Sequence, residues 1–121
     1  STGDMAKQLP GEPYTRITSD EAHKMLEEGN AVAIDVRRED EYLAGHIKGA
    51  TWIPVDDVIA RFDEIPTEGN LLFICAVGAR SGLACESAAA MGADTKRLFN
   101  IEDGTPTWIE KNLPTSYGSD K

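Results

Sequence analysis

Apolar residues come in short runs along this chain, separated by polar and glycine-rich punctuation, and the runs follow two different periods. Leu71-Leu72-Phe73-Ile74 and Ala31-Val32-Ala33-Ile34 are continuous, which reads as strands buried on both faces. Residues 14–17, 51–53 and 96–99 read as shorter strands, the second stopped by Pro54. Between them the spacing turns helical. Thr18-Ser19-Asp20-Glu21 has the form of a capping box, opening a helix with Ala22, Met25 and Leu26 on its apolar face and Gly29 at its end. Residues 38–43 predict one or two charged helical turns, and Val55, Val58, Ile59 and Phe62 predict a helix over 55–62. The Ala-rich stretch 83–91 predicts a longer helix, opened by Arg80-Ser81 and ended by Gly92. Residues 106–111 predict a last short one, with Trp108 and Ile109 turned inward.

Strands alternating with helices predict an α/β fold, with a mostly parallel sheet of about five strands flanked by helices on right-handed crossovers. One domain is expected over 13–114, between a flexible arm over 1–12 and a polar tail over 115–121. Residues 1–4, ahead of Met5, read as a candidate non-native extension. Ligands in such sheets bind outside the C-terminal strand ends, which is where Asp35 and Cys75 fall.

Cys75 closes the central strand and begins a tight loop of small residues that leads into a helix. Backbone N–H groups of such a loop, with the positive end of the helix dipole, favour an anion in its mouth. The nearest candidate is the Cys75 thiolate, because electropositive surroundings lower a cysteine pKa from ~8.5 toward neutrality or below. The bland alternative is a buried strand-end cysteine with no chemistry. Cys85 lies a turn or more along the predicted helix, beyond the ~7 Å within which two Cα atoms can be bridged. It reads as a core-facing residue.

Composition narrows the classes. The 121 residues suffice for one core, at 40% hydrophobic and 27% charged. A net charge of −9 argues against nucleic acid and anionic membrane surfaces as partners. No run approaches the ~18 apolar residues of a membrane span. A cytoplasmic setting is favoured, and a periplasmic one stays open if a leader has been removed. No Cys/His cluster has metal spacing and no glycine fingerprint cradles phosphate, so neither metal nor nucleotide is expected.

Three stretches in order resemble one family. Asp35-Val36-Arg37, with Glu41-Tyr42, Gly45-His46-Ile47, Gly49-Ala50 and Ile53-Pro54, resembles the N-terminal signature of single-domain rhodaneses. Cys75-Ala76-Val77-Gly78-Ala79-Arg80-Ser81 resembles their catalytic loop, and Gly104 with Trp108 their C-terminal glycine and tryptophan. The resemblance spans residues 15–114 and implies a three-layer rhodanese-like fold and a sulfurtransferase. Such an enzyme carries sulfur as a persulfide on the loop cysteine, here Cys75. It takes that sulfur from thiosulfate, a polysulfide or a persulfide and passes it to cyanide or a thiol. No cofactor is implied beyond the covalent persulfide, and the partner is a small sulfur compound or a partner protein's persulfide.

Loop length separates the nearest rival. Cysteine phosphatases and arsenate reductases of related fold use a loop one residue longer, whereas four residues, Ala76, Val77, Gly78 and Ala79, lie between Cys75 and Arg80. The smaller ring suits one sulfur atom better than a tetrahedral oxyanion. A non-catalytic binding or regulatory module is the other alternative; such modules usually lack the cysteine that is present here. Among supporting residues, Arg80 reads either as an anion binder in the loop mouth or as the partner of a carboxylate such as Glu41. Asp35 and Arg37 read as braces beneath the loop. His46 reads as a hydrogen-bonded structural residue. Ala76 and Val77 follow the cysteine where thiosulfate-using relatives often carry a basic residue, which weakens the case for that donor.

Overall fold

In the computed structural model, which describes residues 6–121, the apolar run at the chain's centre is strand β5 (Asn70–Ile74). It lies in the middle of a five-stranded parallel sheet with β1 (Thr15–Ile17), β2 (Ala31–Asp35), β4 (Thr51–Trp52) and β6 (Leu98–Ile101), in the order β1-β6-β5-β2-β4. Alternation explains why β5 has no polar face. Leu71 and Phe73 enter one core with Ile34, Val36, Ala84, Cys85 and Ala88, while Leu72 and Ile74 enter the other with Ile17, Ala33, Ile101 and Trp108. Helix α3 (Ala79–Ala90) covers the first face; α1 (Ser19–Glu28) and α4 (Gly104–Glu110) cover the second. The three-layer arrangement is the expected one.

Helix α1 begins at the expected capping box, with Thr18 Oγ1 accepting from Glu21 N and Glu21 accepting from Thr18 N, and ends at left-handed Gly29. Charged residues 39–43 form the short helix α2 (Glu39–Leu43).

Four expectations change. The helix over 55–62 is instead two 3₁₀ turns, Val55–Asp57 and Phe62–Glu64. A 3₁₀ turn stacks i and i+3, so Val55 and Val58 reach the core together and Ile59 is left exposed. The last strand starts at Leu98, because Asp94 caps a 3₁₀ turn over Thr95–Arg97 first. The tail over 115–121 is part of the fold. There, β7 (Thr115–Ser116) pairs antiparallel with β3 (His46–Ile47), and Gly118 N donates to Leu43 O. The described part of the arm is docked as well: Lys7 pairs with Arg16 through both backbone groups, and Glu12 binds the Arg16 guanidinium. Residues 1–5, and with them the expectation about residues 1–4, lie outside the described residues.

Candidate active site

The chain leaves β5 at Cys75 and enters α3 four residues later, so the loop must reverse direction within Ala76, Val77 and Gly78. Gly78 makes the reversal with φ of 93°, and a Cβ there would stand 2.9 Å from Glu102 O. The turn aims the Gly78 N–H at Cys75 Sγ, 3.1 Å away. Ser81, in the first turn of α3, brings its hydroxyl to 3.3 Å from the same sulfur. Cys75 itself is buried, while Val77 at the loop tip is 78% exposed.

Neighbouring elements fix the loop from behind. The Cys75 carbonyl accepts from Thr105 N (2.9 Å) and Thr105 Oγ1 (3.2 Å) at the start of α4. That close approach requires Gly104, whose φ is 77° and whose Cβ would collide with the Ala76 carbonyl. Asn100, buried on β6, donates from Nδ2 to Gly78 O at 3.0 Å and accepts from Ser81 Oγ at 2.6 Å.

Burial pushes the Cys75 thiol up, yet its pKa lies below the ordinary thiol value. The Ser81 hydroxyl and the backbone N–H groups of Ser81, Val77 and Gly78 favour the thiolate by more than burial opposes it.

Arg80 takes the second of its two readings: Nη1 and Nη2 donate to the two carboxylate oxygens of Glu41 at 2.7 and 3.0 Å. This fork ties α3 to α2 and holds Glu41 at a pKa of about 2, chiefly through the Arg80 hydrogen bonds. Asp35 and Arg37 form a buried pair (2.7 Å) at the end of β2, and Arg37 also donates to Gly45 O. They hold the adjacent turn and make no hydrogen bond to the loop. His46 is buried, stacked on Tyr42, with its ring nitrogens against the carbonyls of Tyr42 and Asp120. Among the described residues no cluster of three or more potential metal ligands occurs, and no helix is long and apolar enough to cross a membrane.

Cavity size does not mark this site. A cleft of about 620 Å³ lies at the other end of α3 against Met91, Ile65 and Phe62. A smaller one of about 280 Å³ runs beside the loop, lined by Arg16, Val77, Gly78, Ala79, Asn100 and Glu102. Sequence reasoning gave no role to Asn100 or Thr105. The available signal was Asn100 itself, a lone amide in the apolar run Leu98-Phe99-Asn100-Ile101.

Comparison with known proteins agrees with this geometry. Over 117 residues the chain is 32% identical to the HTH-type transcriptional regulator Rv0324 of Mycobacterium tuberculosis, covering 94% of this chain and 50% of that protein. It is 31% identical over 97 residues to the thiosulfate sulfurtransferase GlpE of Pseudomonas entomophila, covering 78% of this chain and 84% of that one. A crystal structure of a rhodanese-like domain protein from Staphylococcus aureus superposes with a TM-score of 0.69 at 31% identity, covering 77% of this chain and 89% of that chain. The chain spans about half the length of some curated relatives it matches. Since the family model for the rhodanese-like domain matches residues 18–111, nearly everything between β1 and the end of α4, the chain belongs to the rhodanese-like domain family.

Proposed function

We propose that this domain is a sulfurtransferase that carries sulfur as a persulfide on Cys75. The observation that carries the reading is the Gly78 N–H, 3.1 Å from Cys75 Sγ, at the N-terminal end of a 12-residue helix. There the thiol's pKa is held below its ordinary value although the side chain is buried. Cys75 Sγ attacks the outer sulfur of the donor. A new S–S bond forms, the donor's own bond to that sulfur breaks, and its electron pair leaves as sulfite or a thiolate. A thiophile such as cyanide or a thiol then attacks the terminal sulfur, and Cys75 leaves as thiolate. Splitting the transfer this way predicts ping-pong kinetics. Sulfur stays covalently bound throughout, so the chemistry requires no further cofactor. A relative of similar length is named a thiosulfate sulfurtransferase, which supports the same class of reaction.

The donor follows from charge. Arg80 is the cation at the end of the loop, and Glu41 already neutralises it. With Ala76 and Val77 apolar and a net charge of −9, a persulfide on a small thiol or partner protein fits better than a small dianion such as thiosulfate. Intact mass after incubation with polysulfide or thiosulfate tests the reading. A gain of one sulfur that cyanide removes, and that Cys75→Ser lacks, is expected. A second reading rests on the relative named a transcriptional regulator: a regulatory module that binds without turning over sulfur. No sulfur gain from either donor, together with an ordinary thiol pKa at Cys75, would favour it.

A further inference from the structure

The Ser81 hydroxyl faces two acceptors with one hydrogen. Asn100 Nδ2 donates to Gly78 O, which fixes the amide orientation, because the flipped amide would set carbonyl against carbonyl. Asn100 Oδ1 therefore points at Ser81 Oγ, 2.6 Å away, and can only accept. In this arrangement Ser81 gives its hydrogen to Asn100 and offers a lone pair to Cys75 Sγ at 3.3 Å, where a thiol S–H donates. Every polar side-chain atom buried among the described residues has a partner. A thiolate at Cys75 has no hydrogen to give. Ser81 can hydrogen-bond it only by turning its own hydrogen from Asn100 to Sγ.

We infer that the Ser81 hydrogen alternates between Asn100 Oδ1 and Cys75 Sγ, in step with the negative charge on that sulfur. In the resting thiol, S–H donates to Ser81 and Ser81 donates to Asn100. When Sγ loses its proton to solvent, the hydroxyl turns to the sulfur and leaves Asn100 Oδ1 without a partner. On the reading that Cys75 forms a persulfide, the charge then moves to the terminal sulfur and Sγ becomes neutral. The hydrogen returns to Asn100, and that restored hydrogen bond favours the loaded state over the free thiolate. Ser81 is a catalytic residue in this scheme because it touches the reacting sulfur. Asn100 is a positioning residue that sets how much the turn costs. Among the charged groups facing this site, Arg80, held by Glu41, interacts with Cys75, and Arg16 and Glu102 line the cleft beside the loop.

The test is a double-mutant cycle read by thiolate ultraviolet absorbance against pH, in a Cys85→Ala background where Cys75 is the sole cysteine. No sulfur donor takes part, so the result is independent of whether the domain transfers sulfur. Ser81→Ala should raise the Cys75 midpoint by about one unit, the scale of one hydrogen bond to a charged group. Ser81→Thr should restore it. Asn100→Leu should lower the midpoint where Ser81 is present, because the hydroxyl no longer has a competing acceptor. It should lose that effect in the Ser81→Ala background, which isolates the hydroxyl from any loosening of the loop at Gly78. Asn100→Val serves if Asn100→Leu does not fold. Equal shifts from the Asn100 variant in both backgrounds, or no shift from Ser81→Ala, would overturn the inference. Sulfur loading by mass, run separately, shows whether the persulfide reading fails instead.

Discussion

Cys75 and Cys85 are ten residues apart, both reduced and both without exposed surface, yet their thiols are driven in opposite directions. Burial pushes Cys85 well above the ordinary thiol range, with Glu86 and Glu12 adding to it. It lies inside α3, packed among Tyr14, Ala84 and Ala88, and its nearest polar partner is an acceptor, Phe99 O at 3.6 Å. Cys75 is also pushed up by burial, but it stands before the helix, where free N–H groups point outward. Position relative to a helix end, rather than exposure, separates the thiol whose pKa is lowered from the one whose pKa is raised. A search for solvent-accessible cysteines would have rejected both.

The largest effect should come from exchanging the fates of the two. Cys75→Ser should abolish sulfur loading and transfer while leaving the thermal transition in place, whereas Cys85→Ala should retain full loading. Should Cys85→Ala instead trap a persulfide that thiols cannot discharge, the two cysteines act as a pair. The contrast between them would then be one of timing.

Next in size is the backing of the loop, which Cys85 has no counterpart for. Gly104→Ala places a methyl group against the Ala76 carbonyl and forces a left-handed backbone on alanine. The backbone strain alone is worth ~1–3 kcal/mol. Relief of the collision must displace either α4 or the loop, so Thr105 should lose its hold on the Cys75 carbonyl. Chemical denaturation should report the lost stability, and sulfur loading should fall by more than the unfolded fraction explains. A variant that is merely less stable, with normal loading per folded molecule, would show that the Thr105 contacts do not position the cysteine.

Much of this was legible in the chain because period and punctuation carry it. Continuous apolar runs gave strands β2 and β5, Thr18 with Glu21 gave the start of α1, and a cysteine between a buried strand and a helix gave the place of the candidate loop. The family resemblance, carried by the signature from Asp35 to Pro54, the Cys75 loop and Gly104 with Trp108, is borne out by the match over residues 18–111. Less local features stayed hidden. The pairing of β7 with β3 joins residues nearly 70 apart and is made of backbone bonds that any polar tail can offer. The 3₁₀ turns after Pro54 reuse apolar spacings that also suit an α-helix. Arg80 had two readings because an arginine beside an anion-binding loop looks the same whether its fork is free or filled. Only the position of Glu41 on α2 decides between them.

Glu41→Gln is the gentlest probe, since it keeps the side chain's shape and removes one charge. Arg80 then loses its neutralising partner, and its field acts on Cys75 and on anything entering the loop. Thiosulfate, a dianion, should gain most: its kcat/KM should rise on the order of 3–10-fold, with a smaller gain for an alkyl persulfide. The same substitution changes stability in acid. Glu41 has a pKa of about 2 in the fold against an ordinary 4.5, so the unfolded chain takes up its proton first as the pH falls. The pair's contribution is therefore complete above about pH 4.5 and is lost progressively toward pH 2. Urea denaturation across that window should show a steeper pH dependence in the wild type than in Glu41→Gln, and parallel curves above pH 5. If thiosulfate turnover rises without the change in acid slope, Glu41 screens the donor and leaves Arg80 free. If the slope changes while donor preference does not, the fork between α2 and α3 is purely a brace, and donor choice rests with the apolar rim formed by Ala76 and Val77.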